Sequence, residues 1–200
     1  MGSPRVTSET DAANLALARV GASPIVSLDD ASKRARFAAR AFGPTRDALL
    51  RRHPWNFALV TFQPVEQPDV TPGRFSRGWL IPEEIVTIWD VLGLGADQWE
   101  MASQDGATTG YRLLMCDADA PQVRAARRRD PAYWDPLFVD VFASLLAAEL
   151  APALKGEGGE ALREAAEARL LFAKRADSRE AASGQVTRDT SWVAARRAWP

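Results

Sequence analysis

His53 and Cys116 are the only histidine and the only cysteine among 200 residues. Together they are the single thiol–imidazole pair from which a nucleophile and its base could be built. Neither sits in a local signature of that chemistry, and Cys116 reads more simply as a small buried hydrophobe. One residue of each type also excludes, within one chain, the zinc sites built on those ligands. Asp117 and Asp119 stand two apart after a strand-like segment, Asp105 precedes Gly106, and Glu83-Glu84 follows Pro82. Paired carboxylates can bind Mg²⁺ or exchange protons. The plainer reading of these pairs is polar turns that keep strand ends solvated. The sequence has no GxSxG, CxxC, HExxH or GxxxxGK[ST] pattern. No catalytic residue, metal ligand or cofactor is expected.

The sharpest charge feature is Arg124, Arg127, Arg128 and Arg129. Such a run suits a protein interface, a partner's acidic patch or a phosphate backbone. The alternative is a solvated turn or helix end, offset by Asp130 and nearby acids. Lys plus Arg total 25 against 26 Asp plus Glu, a net charge of −1, so the chain as a whole has no drive toward nucleic acid. A hydrophobic fraction of 46% is enough to bury a core. The longest apolar stretch, residues 137–154, is interrupted by Asp140, Ser144 and Glu149. On that ground no membrane span is expected. The N-terminus lacks the basic-then-apolar order of a signal peptide, so synthesis in the cytoplasm is expected.

These residues must be positioned by helices at both ends and strands between. Thr7 or Ser8 caps a first helix with Leu15, Leu17 and Val20 on its apolar face, stopped at Gly21. A second helix is predicted over about 30–52, kinked or split at Gly43-Pro44 and ended by His53-Pro54. The segments 55–62, 85–92, 99–102 and 111–116 read as strands, and 63–75 as a proline-rich loop. Asp135-Pro136 then opens a helix whose stripe is Leu137, Phe138, Val141, Phe142, Leu145, Leu146 and Leu150. Pro152 is placed to shorten it. Gly156, Gly158 and Gly159 turn the chain into a last helix over 160–182, an antiparallel hairpin.

The fold class that follows is α+β, mainly α. It is a helical bundle with a long C-terminal antiparallel hairpin and a small inserted antiparallel β region. The helical domain takes residues 1–56 and 130–183, the β-rich region 57–120, and a C-terminal tail 184–200. The seven tryptophans divide. Trp55, Trp89 and Trp99 lie in patterned segments and read as core. Trp192 and Trp199 lie in a short polar tail, which needs its own domain or a neighbouring subunit to dock on.

Four segments carry a resemblance. Asn14–Leu28 has Gly21, Ser23, Pro24, Ser27 and Leu28 in a G-x-S-P-x-x-S-L turn. His53-Pro54-Trp55-Asn56-Phe57 closes the second helix, Trp134-Asp135-Pro136-Leu137-Phe138 opens the long one, and Asp189-Thr190-Ser191-Trp192 sits in the tail. In this order they resemble the tail tubular protein A family of short-tailed phages, the head-to-tail adaptors or gatekeepers. The region from Trp79 to Cys116 matches only as a β-rich insertion.

The resemblance implies a structural virion protein of the tail or neck, and no enzyme. It implies a homo-dodecameric ring between the portal protein and a tail nozzle protein of the tail tubular B kind, with a channel for DNA passage without sequence specificity. Ring contacts are heterologous, so each subunit needs two unlike faces. The hairpin is the expected wall between subunits, with Arg124, Arg127, Arg128 and Arg129 at the interface or channel. Trp192, Val193, Arg196, Arg197 and Trp199 are expected to grip the portal or a neighbour, and the β-rich middle to face the nozzle. Two competing readings are a nucleic-acid-binding module that uses the arginine run and a small hydrolase that uses Asp117. A third is a connector or tail-completion protein of another phage type.

Overall fold

A computed structural model describes residues 6–68, 70, 73–104 and 110–184. Ser8, Ser32 and Asp135 cap three helices: α1 (Glu9–Arg19), α2 (Lys33–Leu50) and α3 (Pro136–Lys155). Each cap side chain accepts a backbone N–H from the first turn, which otherwise has no partner. At α1 the capping is reciprocal, because Asp11 also accepts from the Ser8 N–H at 3.0 Å. The second helix starts later than the sequence suggests, at the Ser32 cap. It also runs unbroken through Gly43-Pro44. Pro44 is exposed, so the Arg40 carbonyl that it deprives of a donor can turn to water.

The last helix, α4 (Gly159–Gly184), runs antiparallel to α3. Arg163 pairs with Glu149 while Arg169 pairs with Asp140, so partners descend α3 as α4 ascends. Pro152 does not shorten α3, which continues to Lys155 and is capped by Gly156 at φ +84°. It does leave the Ala148 carbonyl without its intrahelical donor. The backbone of Gly159 approaches that carbonyl so closely that a Cβ there would stand 2.9 Å from the oxygen.

The helix α3 packs against α1, α2 and α4 and is the axis of one continuous core. The expectation that no stretch suits a membrane is corrected here, since α3 is long and apolar enough by length and composition to cross one. In the structure it is the central helix of a protein core. Its two acidic residues, Asp140 and Glu149, are both paired with arginines.

The expected mainly α bundle with a small β insert is overturned. Among the described residues four α-helices stand beside seven strands in two antiparallel sheets, 45% helix and 20% strand. The strands are β1 (Leu59–Phe62), β2 (Val65–Gln67), β3 (Gly78–Ile81), β4 (Ile85–Val91), β5 (Glu100–Gln104), β6 (Tyr111–Met115) and β7 (Val123–Arg127). One sheet has the order β1-β7-β4 and the other β2-β3-β6-β5. The sheets pack face to face over Trp79, Ile81, Ile85, Val91, Leu114 and Val123. Phe75, Leu113 and Met115 form a smaller cluster on the outer face of the four-stranded sheet.

Three strands escape sequence reading for physical reasons. Val65–Gln67 is a short strand between prolines and reads as loop. Gly78–Ile81 takes its strand character from pairing with β2 and β6, at least 11 and 31 residues away, which no local pattern carries. Val123–Arg127 (VRAAR) reads as charge, yet it is the central strand of its sheet, with Val123, Ala125 and Ala126 buried. Trp55, expected in the first strand, lies before it and is fully buried in the helical core.

Candidate functional site

Two of the four resemblance segments, about eighty residues apart, meet where helices and sheets join. Trp55 meets Phe138 edge to face at 5.2 Å, and Phe57 meets the same ring at 4.8 Å. Trp134 lies 5.1 Å from Phe138 and 4.9 Å from Phe142, and its indole N–H donates to the Arg129 carbonyl at 2.9 Å. Edge-to-face geometry places positive ring edges on negative ring faces, adding to the burial of large apolar area. The Trp55 indole donates to the Leu49 carbonyl at 3.1 Å, tying the end of α2 to this cluster.

A polar clamp borders the rings. Asp177 of α4 is only 7% exposed. Its carboxylate lies 2.9 Å from His53 Nε2 and accepts the Asn56 backbone N–H at 3.1 Å, while Asn56 Nδ2 donates to the Asp177 carbonyl at 2.7 Å. The histidine stands 4.9 Å from the Trp55 ring. The earlier segment has an equivalent local role. Asn14 donates to the Ile25 carbonyl at 3.0 Å and accepts the Ile25 N–H at 2.9 Å, pinning the turn after α1, where Gly21 has φ +69°.

The arginine run does not form one patch. Arg124 is exposed in mid-strand, opposite Thr61 of β1 and Asp90 of β4. Arg127 lies at the end of the same strand opposite Ile85. Arg128 turns the other way and binds Asp47 of α2 with two nitrogens, Nη2 at 2.7 Å and Nε at 3.1 Å, while its Nη1 donates to the Glu83 carbonyl at 2.8 Å. Burial would raise the Asp47 carboxyl, but hydrogen bonds from Arg128 and Arg46 outweigh it and hold it below its ordinary value. Arg129 is half-buried, and its Nε has no hydrogen-bond partner among the described residues. Strand alternation and Asp47 thus divide the run between solvent and the helix–sheet joint.

His53 and Cys116 are not brought together. The histidine serves the helical core, and the cysteine is fully buried in the inter-sheet core, where burial raises its thiol pKa. Asp117 accepts the Ser76 N–H and hydroxyl, both at 2.9 Å, and Asp119 pairs with Arg77. These acids end strands and hold a loop. Asp105 and the tail residues Trp192, Val193, Arg196, Arg197 and Trp199 lie outside the described residues.

Sequence reasoning missed two surface features. An open groove of about 550 Å³ between α2 and α3 is lined by Phe37, Arg40, Ala41, Pro44, Leu150 and Ala153. On α4, Leu171 and Phe172 are 59% and 64% exposed. The sequence shows both residues as wideners of an apolar stripe. Only the helix packing reveals that they point away from the core. No protein-family model matches this chain, and no curated protein matches it.

Proposed function

We propose that this protein is a structural subunit of a tailed-phage virion, a head-to-tail adaptor. Copies assemble as a ring, dodecameric in this reading, between the portal protein and the tail nozzle protein, around a channel for DNA. The observation that carries the reading is the junction of the resemblance segments. His53-Pro54-Trp55-Asn56-Phe57 and Trp134-Asp135-Pro136-Leu137-Phe138 supply most of one aromatic and polar clamp. Residues with that role keep a scaffold rigid, which is the demand on a ring subunit. Two unlike surfaces support it further. The α2–α3 groove is concave and the Leu171–Phe172 ridge of α4 is exposed, and a heterologous ring contact needs two different faces.

In this proposal α3 and α4 form the wall between neighbours, and the tail from Gln185 to Pro200 grips the portal or a neighbour through Trp192. The test is light scattering on the purified protein alone and then with the portal protein. Twelve copies of the 21.8 kDa chain should add about 262 kDa to the portal ring. Truncation after Ser183 should weaken that attachment and leave the circular dichroism of the helices intact. A monomer that ignores the portal overturns the adaptor reading. Unchanged attachment of the truncated chain overturns the tail assignment alone.

A further inference from the structure

The sandwich opens where the two sheets end beside each other. The strand β4 is the last of the three-stranded sheet and β5 the last of the four-stranded one. Each therefore has a row of backbone groups with no partner in its sheet. Between these edges lies a cleft of about 300 Å³, lined by Arg51, Thr87, Trp99, Met101, Ser103 and Arg112 among others.

Arg112 stands where the strand pattern calls for an apolar residue. It is two residues from Leu114, which is fully buried between the sheets, so alternation puts both on the inward face. One N–H of its guanidinium donates to the Ile85 carbonyl across the mouth at 2.7 Å. Among the described residues no carboxylate pairs with it, nor with Arg51, which is exposed at the end of α2. The charges that act on Arg112 are themselves positive, those of Arg51 and Arg128. Arg128 is already neutralised by Asp47, whereas Arg51 is not. Burial first, then these two neighbours, push the Arg112 guanidinium below its ordinary range. A half-buried cation facing another cation is costly until an anion arrives.

The remaining lining says which anion fits. Ser103 adds a hydroxyl beside the guanidiniums, and Trp99 and Met101 add apolar area. The edge of β5 is regular, with five consecutive residues in register on β6, whereas β4 has register shifts at two places. Among the described residues the edge from Glu100 to Ser103 is unpaired on its outer side, and such an edge offers alternating N–H and C=O groups to an extended peptide. A phosphodiester backbone would use the guanidiniums but offers no regular row of N–H groups to pair with the strand carbonyls.

We propose that this cleft binds an extended acidic segment of a partner protein, which adds as a strand along β5 and places a carboxylate between Arg51 and Arg112. The inference does not depend on the ring assembly proposed above.

The test is calorimetric titration of the full chain with an end-blocked seven-residue peptide that alternates valine and glutamate. Binding is expected for the wild type. At least a tenfold loss is expected for Arg51→Glu, a surface change that leaves the core alone, and for Arg112→Met. The glutamine counterpart of the peptide should lose affinity to the same degree. Failure of the acidic peptide to bind overturns the proposal, as does equal binding of the glutamine peptide or undiminished binding by Arg51→Glu. Displacement of the peptide by a single-stranded oligothymidylate of higher affinity would reassign the cleft to nucleic-acid phosphates.

Discussion

The helical and β regions solve the burial problem differently. The helical region has one continuous core around α3, in which Phe42, Trp134 and Phe142 pack on one another and Phe138 links them to Trp55. The β region divides a smaller apolar content between an inter-sheet cluster and a satellite on the outer face. Among the described residues it also ends its sheets in the edge strands β4 and β5 and has an inward-facing guanidinium at its open end. The difference teaches where specificity is placed. A deep core tolerates no unpaired charge, so polar groups there form closed clamps such as His53–Asp177–Asn56. A thin sandwich can leave donors open at its rim, where a partner can meet them.

The sharpest way to break this contrast is to excavate each core. Phe138→Ala removes the ring on which Trp55, Phe57, Trp134 and Phe142 pack. Its expected cost is about 3–5 kcal/mol in urea unfolding. Leu114→Ala in the inter-sheet core should cost less, about 2–3 kcal/mol, because a smaller cluster collapses more readily around the void. The reverse ranking would make the sandwich the stability centre.

Next in size is the joint between the regions. Arg128→Met leaves Asp47 without its bidentate partner and should lower stability by roughly 1–3 kcal/mol at neutral pH. Its pH dependence has a definite sign. Asp47 is held below its ordinary value of 3.8 in the folded protein, so the clamp contributes fully above that value. The contribution is lost as pH falls below 3.8 through the lower folded value. The gap between wild type and variant should therefore shrink at acid pH. A gap constant down to pH 2 would mean that Arg128 acts through packing alone.

The smallest effect belongs to the surface of the helical hairpin. Arg163 and Glu149 are each about half exposed. Arg163→Ala should change stability by no more than about 0.5 kcal/mol, read from the same urea midpoints. A larger loss would show that the ends of α3 and α4 depend on charge as well as on the Gly159 contact.

Helix starts were legible in the residues. Asp135-Pro136 and Ser8 with Asp11 are local devices, and the caps form where they were expected. The Ser32 cap was not, because several serines and aspartates compete between residues 27 and 32. Strands β4 and β6 were legible because apolar and β-branched residues dominate them. VRAAR was not, because alanine and arginine carry little β preference and their strand state comes from β1 and β4 on either side. The same limit hid the cleft. Nothing around Arg112 or Arg51 marks either residue, and they become neighbours only when β6 is laid beside the end of α2.

The sequence by itself determined the helix caps at Ser8 and Asp135, the apolar stripe of α3 and the hairpin turn. Those properties depend on residues within a turn or two of one another, where backbone geometry and periodicity act. Tertiary structure alone decided the two-sheet sandwich and the division of the arginine run between solvent and Asp47. It alone also joined His53 to Asp177 and exposed Leu171 and Phe172. Each of these depends on a partner far along the chain, and a charge or an apolar side chain carries no record of that partner until the fold supplies it.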